Sequence, residues 1–217
     1  MKKKQALIAV NGELRGSKEE YRALFEQKDL TIIAVDGGLL LLEELDLFPH
    51  LILGDLDSLP QDKVEYYQEK GVEILPYPVE KDETDTELAL DYCKRKAYTE
   101  LFLIGARGGR IDQELANIFL LEYAWRQGLD LIIKEPGLEI GLINKNKKFY
   151  NHKDHYFSLV PLSERIQGVS LQGFQYPLAD ATLLRYKTRG ISNKFVEASA
   201  EVIVDEGIAL YIIQEKV

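Results

Sequence analysis

Six short apolar runs recur through the N-terminal part of this chain, each closing on or near Gly, Asp, Asn or Pro and each separated from the next by a longer amphipathic stretch. They are Ala6–Val10, Thr31–Val35, Leu51–Leu53, Val72–Leu75, Leu101–Ile104 and Leu131–Ile133. Alternation of this kind is the signature of βαβ units, whose strands are buried on both faces and so read as continuous apolar runs. It predicts an α/β fold, a doubly wound and mostly parallel sheet of about six strands.

The intervening stretches carry helix signals. Ser17 opens one helix, Pro60 stands in the first turn of another, and Thr84-x-x-Glu87 has the spacing of a capping box. Ile111, Leu115, Ile118, Leu121 and Trp125 recur at helical spacing, which predicts one buried face with Trp125 in the core. After Pro136-Gly137 the pattern changes to short β-rich segments, Leu138–Ile143, Tyr156–Val160, Val169–Leu171, Glu201–Val204 and Ile208–Ile213. The expectation is a smaller all-β sandwich following the α/β domain, with domains at residues 1–137 and 138–217.

With 217 residues, the chain suits one large domain or two small ones. A net charge of -9 repels phosphate backbones, so nucleic acid is not an expected partner, and an anionic substrate needs local help. The single cysteine, Cys93, fits a reducing compartment, and the protein is read as cytoplasmic. The run after the basic start, Ala6 to Val10, is too short for a signal peptide. Asp36 interrupts the strongest candidate for a membrane span, Leu30 to Leu42, so no membrane association is expected.

Polar residues collect just beyond the strand ends, where open α/β sheets bind ligands. Gly54-Asp55-Leu56-Asp57-Ser58 follows the third run; in an extended chain, Asp55 and Asp57 project to the same side and can share a hard cation. Ser58 alone would serve as a helix cap. Lys81-Asp82-Glu83-Thr84-Asp85-Thr86-Glu87 opens a helix beyond the fourth run. Asp82 or Asp85 can complete an oxygen site for Mg²⁺, while Lys81 and Thr84 suit a phosphate. Gly105-Ala106-Arg107-Gly108-Gly109-Arg110-Ile111-Asp112-Gln113 is glycine-rich without Walker spacing and aims backbone N–H groups and Arg110 at phosphate. Asp36-Gly37-Gly38 adds a fourth loop to the same edge. His50, His152 and His155 receive no role.

Taken in order, Asp36-Gly37-Gly38, Gly54–Ser58, Lys81–Glu87, Gly108-Gly109-Arg110-Ile111-Asp112-Gln113 and Gly190-Ile191-Ser192-Asn193 resemble the thiamine pyrophosphokinase family nearly end to end. The resemblance implies a nucleotide- and metal-binding α/β domain, a β-sandwich that binds thiamine and forms a homodimer, and transfer of pyrophosphate from ATP to the thiamine hydroxyl, leaving AMP. It implies Mg²⁺ at Asp55, Asp57 and Asp85; these three and Asp82 are the candidate catalytic acids, and either Asp55 or Asp82 could take the thiamine hydroxyl proton. Nucleotide contacts follow at Asp36, Gly37, Lys81, Thr84, Arg110, Asp112 and Gln113, and thiamine contacts at Ser192, Asn193 and Tyr176. Two positions depart from the common bacterial pattern: Gln113 stands where many members have His, and Lys194 where many have Glu.

Two other readings compete. An apolar strand followed by D-x-D also describes hydrolases that work through an aspartyl phosphate, and the same loops would serve a non-catalytic nucleotide-binding sensor.

Overall fold

A computed structural model describes residues 3–26, 28–56 and 59–216; Asp57 and Ser58 of the D-x-D segment lie outside the described residues. The chain divides into two compact units, Met1–Pro136 and Gly137–Val217.

The first unit contains β1 (Gln5–Ala9), α1 (Lys18–Phe25), β2 (Leu30–Val35), α2 (Gly38–Glu44), β3 (Leu51–Gly54), α3 (Gln61–Glu69), β4 (Glu73–Pro76), α4 (Asp85–Arg95), β5 (Glu100–Ile104), α5 (Ile111–Arg126) and β6 (Asp130–Glu135). The strands run in the order β6-β5-β1-β2-β3-β4, and every pairing among them is parallel. Leu7, Ala9, Ala34, Ile52 and Phe102 share a core with Tyr21 of α1, Leu39 and Leu42 of α2, and Val64 and Tyr67 of α3. Ala6, Ile8, Ile33, Leu51 and Leu103 are buried one residue out of phase, so they point to the other face. There α4 lies against β2 and β3, and α5 against β6. Right-handed crossovers require this change of face, because the chain reverses its direction of travel across the sheet after β4.

Local chemistry places the helix starts. Ser17 Oγ accepts the Glu20 N–H while the Glu20 carboxylate accepts the Ser17 N–H, a complete capping box. Thr84 Oγ1 accepts the Glu87 N–H at 3.2 Å, one half of the same device. Pro60 is the N-cap of α3, one position before the helix proper.

The expected buried face of α5 is corrected by the structure. Ile111 and Leu115 are exposed and Trp125 is 36% exposed, while Asn117, Leu120, Leu121 and Ala124 form the buried arc. At about 100° per residue, those four positions fall within one narrow sector, and Ile111 and Leu115 lie well away from it. The arc is phased on a polar residue, Asn117, whose Nδ2 donates to the Ala106 carbonyl at 3.1 Å.

The second unit contains β7 (Leu138–Ile143), β8 (Lys147–Tyr150), β9 (Tyr156–Pro161), β10 (Arg165–Gln172), β11 (Leu178–Leu184), β12 (Asn193–Lys194), β13 (Ser199–Ile203) and β14 (Ala209–Gln214). Two antiparallel arrays, β12-β9-β14-β7 and β11-β10-β13-β8, enclose a core rich in aromatic rings. Phe149, Phe157, Phe174 and Phe195 meet there in edge-on and tilted pairs.

Candidate active site

In the first unit, β1 is flanked by β2 on one side and β5 on the other, and the strand order reverses there. At such a switch point the connections leave the carboxyl ends in opposite directions and open a crevice. A cavity of about 480 Å³ occupies it, lined by Val10, Asn11 and Gly12 after β1, Val35 and Asp36 at the end of β2, Thr84, Asp85 and Thr86 at the start of α4, and the loop after β5.

The acidic wall is built on Asp36. Its backbone is left-handed at φ 45°, a conformation that Asp tolerates better than most residues. Its N–H donates to the Leu53 carbonyl at 3.0 Å, and its Oδ1 accepts the Asp55 N–H at 3.1 Å, so the ends of β2 and β3 are tied together by one residue. A Cβ at Gly54, itself at φ 146°, would overlap Asp36 Oδ1, so the approach of strand to carboxylate requires glycine. The Asp85 carboxyl lies within reach of the Asp36 side chain. Burial, the Asp85 contact and the charge of Asp55 push the Asp36 carboxyl up to about 7, against the opposing charge of Lys81. Lys81 Nζ is itself 2.6 Å from Asp85 Oδ1.

The opposite wall is the glycine-rich loop. Gly105, Gly108 and Gly109 all have positive φ, and the loop lines the cavity through Gly105, Ala106, Gly108, Gly109 and Arg110. Arg110 grips Asp112 with Nε at 3.1 Å and Nη2 at 2.6 Å, but both side chains are largely exposed, 75% and 61%. An exposed pair of this kind is worth little, so the guanidinium can exchange Asp112 for a phosphate at small cost.

The structure thus gathers Asp36, Thr84, Asp85, Arg110 and Gln113 around one cavity, with Lys81 on Asp85 and Asp55 on Asp36. Gly37 abuts the Asn11 side chain. Asp112 addresses Arg110 and the Gln113 N–H, and Asp82 is exposed and outside the cavity lining. Leu56, next to Asp55, is left-handed at φ 61°, and the expected pairing of Asp55 with Asp57 falls on a residue outside those described. Asn11 and Asn117 line the cavity without having been singled out from sequence. Their signals were an Asn-Gly pair at the end of β1, which also reads as a plain turn, and a lone polar residue inside an apolar helix. His50 is structural, its Nδ1 accepting the Ile32 N–H at 3.0 Å.

The donor set suits a hard cation. Asp36, Asp55 and Asp85 offer only oxygen, the donor a hard cation prefers. Among the described residues no three His, Cys, Asp or Glu side chains form a ready-made ligating group. Mg²⁺ does not demand one, since it keeps several waters and is commonly held by one or two carboxylates plus substrate phosphates.

In the second unit, Ser192, Asn193 and Tyr176 are brought together. Ser192 is left-handed at φ 58°, and its N–H donates to Ser158 Oγ at 3.1 Å. Asn193 is buried, with Oδ1 3.0 Å from the Tyr176 nitrogen and Nδ2 2.8 Å from the Tyr176 carbonyl. The Tyr176 ring is exposed. Lys194, the residue that departs from the common pattern, pairs with Asp154 at 3.0 Å.

A family model described as "Thiamin pyrophosphokinase, catalytic domain" matches residues 21–133, and one described as "Thiamin pyrophosphokinase, vitamin B1 binding domain" matches residues 142–209. The thiamine pyrophosphokinase of Bacillus subtilis (strain 168) is 29% identical over 182 residues, covering 83% of this chain and 85% of its own length. A crystal structure of the enzyme from Bacillus subtilis superposes with a TM-score of 0.85 at 24% identity, covering 99% of this chain and 100% of its own, and so shows the fold. That of thiamin pyrophosphokinase from Geobacillus thermodenitrificans gives 0.83 at 28% identity, covering 98% of each chain.

Proposed function

We propose that this chain, which belongs to the thiamin pyrophosphokinase family, transfers the terminal diphosphate of ATP to the hydroxyl of thiamine in the cytoplasm, as a homodimer. The hydroxyl oxygen attacks the β-phosphorus, the bond from that phosphorus to the oxygen bridging it to the α-phosphate breaks, and AMP leaves; the hydroxyl proton is released. The observation that carries this reading is the cavity at the β1/β5 switch point, with carboxylates on one wall and a glycine-rich loop on the other.

The chain's own residues divide the work. Backbone N–H groups of the Gly105–Arg110 loop and the α5 N-terminus donate to the phosphate oxygens, and Arg110 and Lys81 offset charge on the migrating group. Thr84 and Gln113 complete the nucleotide contacts, with Asp36, Gly37 and Asp112 shaping their surroundings. Asp55 and Asp85 would hold Mg²⁺, with Asp57 assigned by its sequence position alone; Asp82 stays a candidate acid by the same criterion. Bound there, Mg²⁺ supplies positive charge against the triphosphate. Ser192, Asn193 and Tyr176 hold thiamine. In-line phosphoryl transfer asks for alignment and charge compensation, so the site needs no nucleophilic Cys or His.

Incubation of the purified protein with ATP, Mg²⁺ and thiamine, followed by mass spectrometry, is expected to yield AMP and thiamine diphosphate in equal amounts. Inorganic phosphate alone would identify a hydrolase instead, and tight ATP binding without turnover a sensor.

A further inference from the structure

Glu135, the last residue of β6, occupies the inward-facing phase of its strand together with Leu131 and Ile133, and is only 1% exposed. A carboxylate in that position needs a partner. It has one in Arg107, whose Nε and Nη2 both donate to Oε2, at 3.0 and 2.6 Å. Oε1 is buried with no hydrogen-bond partner among the described residues. A buried ion pair left partly unsatisfied is weak support for stability, because apolar residues of similar volume often serve as well or better. Its physical value lies in fixing geometry.

What it fixes is the glycine-rich loop. Gly105, Ala106, Gly108, Gly109 and Arg110 line the cavity, whereas Arg107 between them is not among the lining residues. Its side chain goes to Glu135. Three glycines with positive φ leave this segment many alternative backbone paths, and the directions of its N–H groups depend on outside anchors. The anchors come from three directions: Ala106 O accepts from Asn117 Nδ2 at 3.1 Å, Arg107 O accepts the Glu13 N–H at 2.8 Å, and the Gly108 N–H donates to Glu114 Oε2 at 3.3 Å. To these the Arg107 side chain adds an ion pair, two-pronged and with its carboxylate fully buried.

We propose that Glu135 is a positioning residue: through Arg107 it holds the Gly105–Arg110 loop in the conformation that receives the nucleotide phosphates. The inference rests on the nucleotide reading of the cavity, and its test separates the two. Glu135→Gln keeps the volume and removes the charge; Arg107→Lys keeps the charge and removes the two-pronged geometry. Amide hydrogen exchange at residues 106–110 is compared in the ligand-free proteins, and KM for ATP, KM for thiamine and kcat are measured separately.

Both variants are expected to exchange faster in the loop and to raise the ATP KM about tenfold, with the thiamine KM within about twofold of wild type. A merely structural role would lower Tm and the yield of active protein without moving the two KM values apart. Unchanged loop exchange, an unchanged ATP KM, or an equal rise in both KM values overturns the proposal. If Glu135→Gln does not fold, Arg107→Lys carries the same test. Wild-type protein that binds no ATP would sink the nucleotide reading, while the exchange comparison would still decide whether Glu135 holds the loop.

Discussion

Asn193 closes both ends of its side-chain amide on the main chain of Tyr176, accepting the Tyr176 N–H at 3.0 Å and donating to its carbonyl at 2.8 Å. The same Oδ1 accepts the Lys194 N–H at 2.9 Å. One buried carboxamide therefore sets the path of the segment that presents an exposed aromatic ring.

Asn193→Ala is expected to raise the thiamine KM more than the ATP KM and to cost about 1–3 kcal/mol of stability, since it strands polar main-chain groups. Asn193→Asp should be at least as damaging, because an ionised carboxylate cannot donate to the Tyr176 carbonyl. Steady-state kinetics with each substrate varied in turn checks this. Equal changes in both KM values would remove the thiamine assignment from this segment.

Tyr176 is 62% exposed, more than a ring with only a packing role requires. If it stacks on thiamine, Tyr176→Phe leaves the thiamine KM within about threefold and Tyr176→Ala raises it by roughly tenfold or more. Similar values for the two variants would show that the ring face is not used.

The Asp36 carboxyl, pushed up from 3.8 to about 7, binds its proton more tightly in the folded protein than in the unfolded chain. Its contribution to stability is therefore complete below about pH 4 and is lost as the pH rises through 7. Asp36→Asn mimics the protonated acid and lacks this dependence. In metal-free buffer, urea unfolding should show wild type losing stability relative to the variant between pH 5 and pH 8, by on the order of 1–2 kcal/mol after solvent screening is allowed for. Parallel pH profiles for the two proteins would mean that Asp36 is ionised throughout.

Gly54→Ala places a methyl group against Asp36 Oδ1 at a backbone φ of 146°. Thermal unfolding should register a loss of about 1–3 kcal/mol, with turnover falling further than that loss of folded protein explains. A variant with wild-type Tm and turnover would show that the carboxylate is free to move away.

The strands of the first unit were legible because each is a short apolar run stopped by a polar residue, and β1 to β6 all fall on such runs. The phase of α5 was not, because a hydrophobic pattern passes over Asn117, the residue that faces inward to hold Ala106 O. In the second unit, β8, β11 and β12 escaped for related reasons: β11 buries only Leu183 fully, and β12 is two residues long. The cavity lining was legible where acids and glycines follow strand ends, as at Asp36, Asp85 and Arg110. It was not where a contact spans the sequence, as with Arg107 and Glu135. Nor could sequence foresee that Leu56, inside the D-x-D segment, turns left-handed.

The proposed reaction is a single transfer of an intact diphosphate from ATP. Its most direct test is the fate of label from ATP carrying ³²P at the γ position, followed with thiamine and Mg²⁺ present. The label is expected in the terminal phosphate of thiamine diphosphate, with unlabelled AMP accumulating in equal amount. Labelled thiamine monophosphate with ADP, or labelled orthophosphate alone, would contradict it.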